Sequence, residues 1–269
     1  MRITSPANAK IKWIRKLRER KERQESGCFY AEGLRIVVEA AQQNAPLETL
    51  VVAPELLTSA VGKKLVEEQR TLGREVLEVS AEVFQSMAQK EAPVGIAAVL
   101  RQQWITLEQV NVQPGEIWVA LDEVADPGNL GTILRTSDAV GGKGVILLDH
   151  ATDPYDPTAI RASMGALFSQ ALVKAGLDEF ARWKGQRGAA VIGTSGAAQR
   201  DYRQVSYPDG VVVLMGSERE GLSEKHIALC DQIVRIPMVG RSDSLNLAVA
   251  TGVVLYEIFN QRRKPKEQG

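Results

Sequence analysis

Polar side chains that could do chemistry stand in the segments that directly follow predicted strands. The five candidates are Asn129, Arg135, Glu218, Ser244 and Asn246. An arginine guanidinium presents a fork of N–H donors that can bind a phosphate or a carboxylate. A glutamate, a serine and two amides can position a substrate by accepting or donating hydrogen bonds. Simpler roles are also open, because Asn129 and Ser244 are suitable helix N-caps and Arg135 fits an exposed helical position.

The elements that must position these side chains alternate between helices and strands in two series. The first series is predicted to contain helices at 7–25, 32–41, 59–69 and 81–88 and strands at 49–53, 75–79 and 94–100. The second is predicted to contain strands at 117–121, 145–148, 190–194, 211–215 and 233–236 and helices at 130–140, 157–168, 178–186, 224–229 and 245–260. Strands this uniformly apolar are typical of a parallel sheet, whose ligands bind beyond the carboxyl ends of the strands.

The predicted fold class is therefore α/β with two domains, the second of which has a mainly parallel sheet. We expect a first domain at 1–103, a linker at 104–115 and a second domain at 116–269. The linker is polar and ends at Pro114-Gly115, which is a turn signal. The last helix is apolar nearly all round, which predicts packing on two sides, within the subunit and against another subunit.

Charge is unevenly distributed along a chain that holds 33 basic and 33 acidic side chains. The first 25 residues contain nine basic and three acidic side chains, and residues 261–269 contain four basic and one acidic. Basic ends on an acidic body predict an anionic partner, with nucleic acid as the leading candidate. A solvated helix that is merely rich in Lys and Arg is the alternative interpretation.

Several classes of protein are disfavoured by what the sequence lacks. Two cysteines, Cys28 and Cys230, and two histidines show no metal-ligand spacing, so no structural metal is expected. No apolar run approaches the ~18 residues of a membrane span and no signal core follows Met1, so we expect a reduced, cytosolic protein. Segment 216–221 has the spacing of a phosphate loop, but Leu222 stands where the lysine would be. Transfer of a group from a small organic donor fits the remaining features, with the protein supplying position and electrostatics.

Three segments of the second series resemble the signature motifs of the SpoU (TrmH) branch of the SPOUT RNA methyltransferases. They are DPGNLGTILRTSDAVG with Asn129 and Arg135, MGSEREGLS with Glu218 and Gly221, and IPMVGRSDSLNLAVATGVVLYE with Ser244 and Asn246. Their order, spacing and strand–loop–helix contexts match the family. In the first series, SPANAKIKWIRKL and FYAEGLRIVVEA resemble the family's small substrate-binding domain, which is related to a ribosomal protein that binds kinked RNA.

This resemblance implies a C-terminal trefoil-knot domain that binds S-adenosylmethionine, two subunits packed across the knot, and methylation of a ribose 2′-hydroxyl in RNA. Carried over by position, the contacts to the cofactor would come from Thr194, Ser195, Gly196, Gly216, Ile236 and Leu245. The additional N-terminal domain favours large-subunit ribosomal RNA as the substrate. A tRNA 2′-O-methyltransferase and a non-catalytic RNA-binding or ribosome-assembly protein that kept the fold are the alternatives.

Roles within that reaction follow from the chemistry of each side chain. Arginine stays protonated, so Arg135 is expected to bind the target phosphate and 2′-hydroxyl rather than to act as the base. The four other candidates would position Arg135 and the ribose, and Glu218 is the second choice as the base, after the phosphate or a water. RNA phosphates would be bound by Lys10, Lys12, Arg15, Lys16 and Arg35. His226 is expected at the surface of a short helix. The expected partners are RNA and a second copy of the chain, with no membrane and no metal.

Overall fold

The structure is a computed structural model that describes residues 2–89 and 91–263. Most of the predicted basic C-terminal tail, from 264 onwards, therefore lies outside the described residues. Within the described ranges, every helix is either too short or too polar to span a bilayer. The same ranges contain no group of three or more His, Cys, Asp or Glu side chains that could hold a metal ion.

The first series of elements forms a four-stranded sheet with helices packed on it. In chain order the elements are α1 (Ala9–Lys16), α2 (Arg20–Ser26), β1 (Cys28–Glu32), α3 (Leu34–Gln42), β2 (Leu47–Val52), α4 (Ala60–Thr71), β3 (Glu75–Glu78), α5 (Ala81–Met87) and β4 (Ile96–Arg101). The strand order is β1-β4-β2-β3, in which only the pair β2 and β3 is parallel. Apolar residues at helical spacing in α1, Ile11 and Ile14, are buried against Phe84 and Met87 of α5.

The second series forms a seven-stranded sheet in which every strand pair is parallel. In chain order the elements are β5 (Ile117–Asp122), α6 (Pro127–Ala139), β6 (Gly144–Leu148), α7 (Pro157–Ser163), β7 (Ala171–Ala175), α8 (Leu177–Arg187), β8 (Val191–Thr194), β9 (Arg200–Asp201), β10 (Val211–Met215), α9 (Glu224–Ala228), β11 (Gln232–Arg235) and α10 (Leu247–Arg262). The strand order is β7-β6-β5-β10-β8-β11-β9. The predicted α/β fold class with a mainly parallel second sheet is confirmed.

The chain divides into two compact units whose bounds differ from the expected domains. Asp153–Phe168 belongs to the first unit, although it lies between β6 and β7 of the second sheet. The second unit begins at Gln103, so the expected linker is part of it. Leu107 and Val110 are buried in its core, where the Val110 carbonyl accepts a hydrogen bond from Trp183 Nε1 at 3.0 Å.

The predicted first helix at 7–25 is wrong in one respect, because it is broken into α1 and α2. Arg23 provides the physical reason. Its guanidinium is 1% exposed and donates to the Leu17 and Arg18 carbonyls at 3.0 and 2.7 Å, just beyond the C-terminus of α1. Its Nε lies 2.8 Å from Asp153 Oδ2, so the buried charge is paired. One of the nine basic side chains counted in the first 25 residues is therefore part of the first unit's interior.

Two further boundaries differ from the predictions for local reasons. The predicted helix at 157–168 ends at Ser163, because Met164 adopts a left-handed conformation with φ 54° and a 3-10 turn follows at Ala166–Phe168. The helix predicted to begin at 32 begins at Leu34, since Glu32 is the last residue of β1. Strands β1, β7 and β9 were not predicted. β9 contains only two residues, and β7 carries a lysine within its apolar run.

Candidate functional site

Four neighbouring strands bring the candidate loops to one edge of the seven-stranded sheet. β5, β10, β8 and β11 lie side by side and run parallel, so their carboxyl ends lie at the same edge. The segments that follow these strands contain the candidates predicted from the sequence. Parallel pairing thus brings together residues that are far apart in the chain.

Three of the five catalytic candidates form a chain of hydrogen bonds at this edge. Asn129 Nδ2 donates to Glu218 Oε1, and Asn246 Nδ2 donates to Asn129 Oδ1 at 2.9 Å. The second carboxylate oxygen of Glu218 accepts from the backbone N–H groups of Ala125 and Asp126 at 3.2 and 3.3 Å. Since both oxygens of Glu218 are occupied by donors, this side chain fixes the loop after β10 to the start of α6.

Two helix caps differ from the predictions, and both differences contribute to this chain. Asp126, not Asn129, caps α6: its Oδ1 accepts from the N–H groups of Gly128 and Asn129 at 2.6 and 3.0 Å. Asn246, not Ser244, caps α10 by accepting from Ala248 at 2.9 Å. An aspartate followed by proline at the first helical position is a known start signal that the sequence contains. Capping by Asp126 leaves the Asn129 side chain free to reach Glu218.

Arg135 and Ser244 are not part of the hydrogen-bonded chain. Arg135 is exposed on α6, about 9 Å along the helix axis from Asn129 at 1.5 Å per residue. Within the described part of the chain its guanidinium has no hydrogen bond or ion pair, so its donors can bind an external anion. Ser244 is exposed in the loop before α10.

The residues expected to contact a cofactor lie at the same sheet edge. Thr194 Oγ1 is 3.3 Å from Met215 Sδ, and the Ser195 N–H donates to the Val234 carbonyl at 3.0 Å. Gly196 is exposed, and a Cβ built on it would meet no atom within 4 Å. A cleft of about 400 Å³ opens beside Ser195, between residues 197–200 and 231–233.

Two observations describe the backbone at which the cofactor is expected to bind. A Cβ on Gly216 would lie 2.1 Å from the Gly221 carbonyl carbon, so glycine is needed for the loop after β10 to fold back this closely. Loop 237–246 is exposed throughout, and the N–H groups of 238–245 donate to no other backbone group in the described chain. Backbone donors and acceptors near Ile236 and Leu245 are therefore available to a ligand.

Comparison with known proteins identifies the family of the second unit. The model of the SpoU rRNA Methylase family matches residues 116–256, which is more than half of the chain. The chain belongs to the SpoU rRNA methylase family. Residues 8–98 match the MRM3-like substrate binding domain. The resemblance seen in the three motifs and in the N-terminal segments is thereby confirmed.

Relatives of this SpoU protein match it over nearly its whole length. It is 33% identical to a 23S rRNA (uridine(2479)-2′-O)-methyltransferase of Streptomyces viridochromogenes, over 97% of this chain and 92% of the relative. It is 27% identical to a 23S rRNA (guanosine(2553)-2′-O)-methyltransferase of Bacillus subtilis, over 95% and 98%. The crystal structure of the AdoMet-bound rRNA methyltransferase of Sinorhizobium meliloti superposes with a TM-score of 0.90 at 37% identity, over 98% and 99%. The predicted enzyme class and methyl donor are confirmed by these similarities.

The expected RNA-binding residues of the SpoU protein fall into two groups. Lys12, Lys16 and Arg35 are exposed. Lys10 forms an ion pair with Glu75, and an Arg15 Nη donates to the Pro6 carbonyl at 2.6 Å. Because they already have partners within the first unit, Lys10 and Arg15 are less available to phosphates than Lys12 and Lys16.

His226 is the residue whose environment was predicted wrongly. It lies on the short helix α9 as expected, but its side chain is only 7% exposed. Nε2 is 3.1 Å from Oδ1 of Asp122, the last residue of β5, whose side chain is 8% exposed. Nδ1 is 2.7 Å from Ser223 Oγ. Burial raises the pKa of Asp122, His226 opposes that shift, and Glu123 and Asp149 add to it. The sequence of α9, five mostly polar residues, does not predict that its histidine contacts the end of a strand about 100 residues earlier in the chain.

Proposed function

We propose that the protein transfers a methyl group from S-adenosylmethionine to a ribose 2′-hydroxyl of large-subunit ribosomal RNA. The observation that carries the proposal is the chain of hydrogen bonds from Glu218 through Asn129 to Asn246. The helix that begins with Asn129 in its first turn also carries Arg135, whose guanidinium has no partner among the described residues. Two relatives named for 23S rRNA 2′-O-methylation support the choice of RNA. Because those relatives are named for different nucleotides, the proposal extends to the RNA and not to the base.

The cofactor supplies a methyl group that is already activated on a sulfonium, so the protein must bind and align the alcohol. The residues proposed to contact the cofactor, mostly through the backbone, are Thr194, Ser195, Gly196, Gly216, Ile236 and Leu245. Such contacts suit the exposed loop before α10 and the tight glycine loop after β10. Binding the cofactor through the backbone requires neither a lysine nor a metal ligand at this site.

Arg135 is the proposed catalytic residue. Its exposed guanidinium can bind the phosphate and the 2′-oxygen of the target nucleotide and so favour the developing oxyanion. Glu218 acts as an anchor rather than as the base, since its oxygens already accept from three N–H groups. The proton of the hydroxyl passes to the phosphate or to a water. Ser244 is exposed beside Asn246 and is proposed to contact the ribose.

A second copy of the chain is the proposed protein partner. On α10, Val249, Val253 and Tyr256 recur at helical spacing, and Val249 and Tyr256 are 53% and 46% exposed. Large apolar side chains in a stripe on one helix suit a two-fold interface. We expect a dimer in sedimentation equilibrium and a monomer when Val249 and Tyr256 are both replaced by Asp. The proposed location is the cytoplasm, where the unpaired Cys28 and Cys230 would stay reduced.

One labelling experiment tests the proposed reaction. The protein is incubated with S-adenosylmethionine tritiated on the methyl group and with unmodified rRNA or tRNA transcripts, and the digested nucleosides are identified. We expect label in a 2′-O-methyl nucleoside from large-subunit rRNA. Label found only in tRNA would show that the substrate is tRNA and not ribosomal RNA. No label on any RNA, with cofactor binding intact, would favour the non-catalytic RNA-binding protein.

A further inference from the structure

His226 and Asp122 form a buried polar pair, contacted by the exposed Ser223, and the proposed reaction assigns no role to it. Both ionisable side chains are less than one-tenth exposed. Apart from Asp122, no polar atom of the described residues contacts His226 Nε2. A buried polar pair costs free energy unless its members satisfy one another, so the contact between the two side chains stabilises both.

This group joins the same two segments that Glu218 joins. Asp122 ends β5, and the loop that follows it supplies the Ala125 and Asp126 N–H groups that bind Glu218. Ser223 follows the loop that carries Glu218, which is closed by reciprocal backbone hydrogen bonds between Ser217 and Gly221 at 3.2 and 3.0 Å. The loop after β10 is therefore fixed to the end of β5 at two places, by Glu218 at the exposed edge and by His226 inside.

The geometry restricts the protonation of the group. A neutral imidazole has one N–H, and a lone pair on Nε2 facing a carboxylate oxygen would be repulsive. A proton on Nε2 removes this repulsion and lets Nδ1 accept from the Ser223 hydroxyl, which lies 2.7 Å away. The charged groups around Asp122 from other elements are the carboxylates of Glu123 and Asp149. On α9 itself, Glu224 and Lys225 are exposed.

We propose that His226, held by Asp122, is a positioning residue that keeps the loop at 217–223 against the end of β5 and thereby keeps Glu218 on Asn129. That His226 holds the loop in place is inferred from the contacts just described. That this placement affects methyl transfer rests on the proposed function. Ser223 contributes by engaging Nδ1 rather than capping α9, whose N-terminus has no side-chain cap bond. His226 touches neither RNA nor cofactor in this scheme.

Two variants and a control separate positioning from general stabilisation. His226→Ala removes the contact with Asp122, whereas His226→Gln keeps an amide N–H donor near the place of Nε2. Glu224→Gln changes a neighbouring exposed residue of α9 without touching the pair. Hydrogen exchange of the full-length protein is followed by mass spectrometry, and kcat, the KM for RNA and the cofactor Kd are measured for each variant.

We expect faster exchange in His226→Ala for peptides covering 123–130 and 216–223, with peptides of β6 and β7 unchanged. We expect kcat to fall about tenfold, with the KM for RNA and the cofactor Kd within about twofold. His226→Gln should restore protection and most of kcat, because its amide N–H replaces the donor that faces Asp122. Glu224→Gln should match the wild type.

Unchanged exchange in the two segments of His226→Ala would overturn the proposal. So would uniformly faster exchange across the second unit that His226→Gln does not correct, because that result describes a residue needed only for stability. If the wild type methylates no RNA, the proposed function fails, and the exchange comparison still decides whether His226 positions the loop.

Discussion

The carboxyl edge of the second sheet and the basic helix α1 were both predicted to be functional, but the fold uses their polar residues differently. At the sheet edge, Glu218, Asn129 and Asn246 bind one another across 89 and 117 positions of the chain. On α1, Lys12 and Lys16 are exposed and face solvent as separate charges. The role expected of the sheet edge depends on the geometry of its hydrogen bonds. The role expected of α1 depends on the charge and exposure of its lysines. Substitutions should therefore affect the chemical step in one region and RNA affinity in the other.

The largest effect should come from Arg135→Ala. Loss of a guanidinium that binds the developing oxyanion should lower kcat about 10³-fold, with cofactor affinity unchanged within a few-fold. Single-turnover methylation and equilibrium binding of S-adenosylmethionine measure the two quantities. Arg182→Ala, which removes another exposed arginine of the second unit, is the matched control and should behave as wild type. Loss of cofactor binding in Arg135→Ala would place Arg135 in the cofactor pocket instead.

A smaller effect is expected from Glu218→Gln. A glutamine keeps one acceptor oxygen, whereas the carboxylate accepts from Asn129, Ala125 and Asp126. The resulting displacement should lower kcat about 10- to 100-fold, with the KM for RNA nearly unchanged. Glu220→Gln makes the same change two residues away, on an exposed side chain. Equal effects of the two variants would show that charge in the loop matters and that the hydrogen-bonded chain does not.

Charge reversal on α1 tests the other side of the comparison. Lys12→Glu with Lys16→Glu should weaken RNA binding about tenfold at moderate salt, and the slope of log affinity against log salt should become shallower. kcat at saturating RNA should be preserved. Reversal of Lys63 and Lys64 on α4, which are also exposed, controls for net charge. If the slope of log affinity against log salt is unchanged in the α1 variant, α1 is not part of the RNA-binding surface.

The smallest effect concerns stability against pH. The pKa of Asp122 is raised by burial, so the folded chain holds that proton more tightly than the unfolded chain does. This contribution to stability is present at low pH and is lost as pH rises from the ordinary carboxyl value, about 3.9, through the raised one. The free energy of unfolding of the wild type, minus that of Asp122→Asn, should therefore decrease across this interval in denaturant titrations. A difference that grows with pH would contradict the assignment.

The sequence by itself determined the fold class, the three motifs and most helices and strands, because these follow from local patterns of apolar and capping residues. The strand at 211–215 was predicted with its observed bounds, and the helix predicted at 81–88 differs by one residue. The loops that carry the candidate site residues could also be predicted, since parallel strands place their carboxyl ends at one edge of the sheet.

Only the tertiary structure decided which polar residues bind one another. Asn129 is a plausible cap by local criteria, yet Asp126 caps α6 and Asn129 bonds to Glu218 and Asn246. Arg23 and His226 looked like surface residues, and both are buried against aspartates that lie about 100 or more positions away in the chain. Local sequence sets backbone preference, but the partner of a buried charge is set by packing between distant segments, because burial makes an unpaired charge too costly.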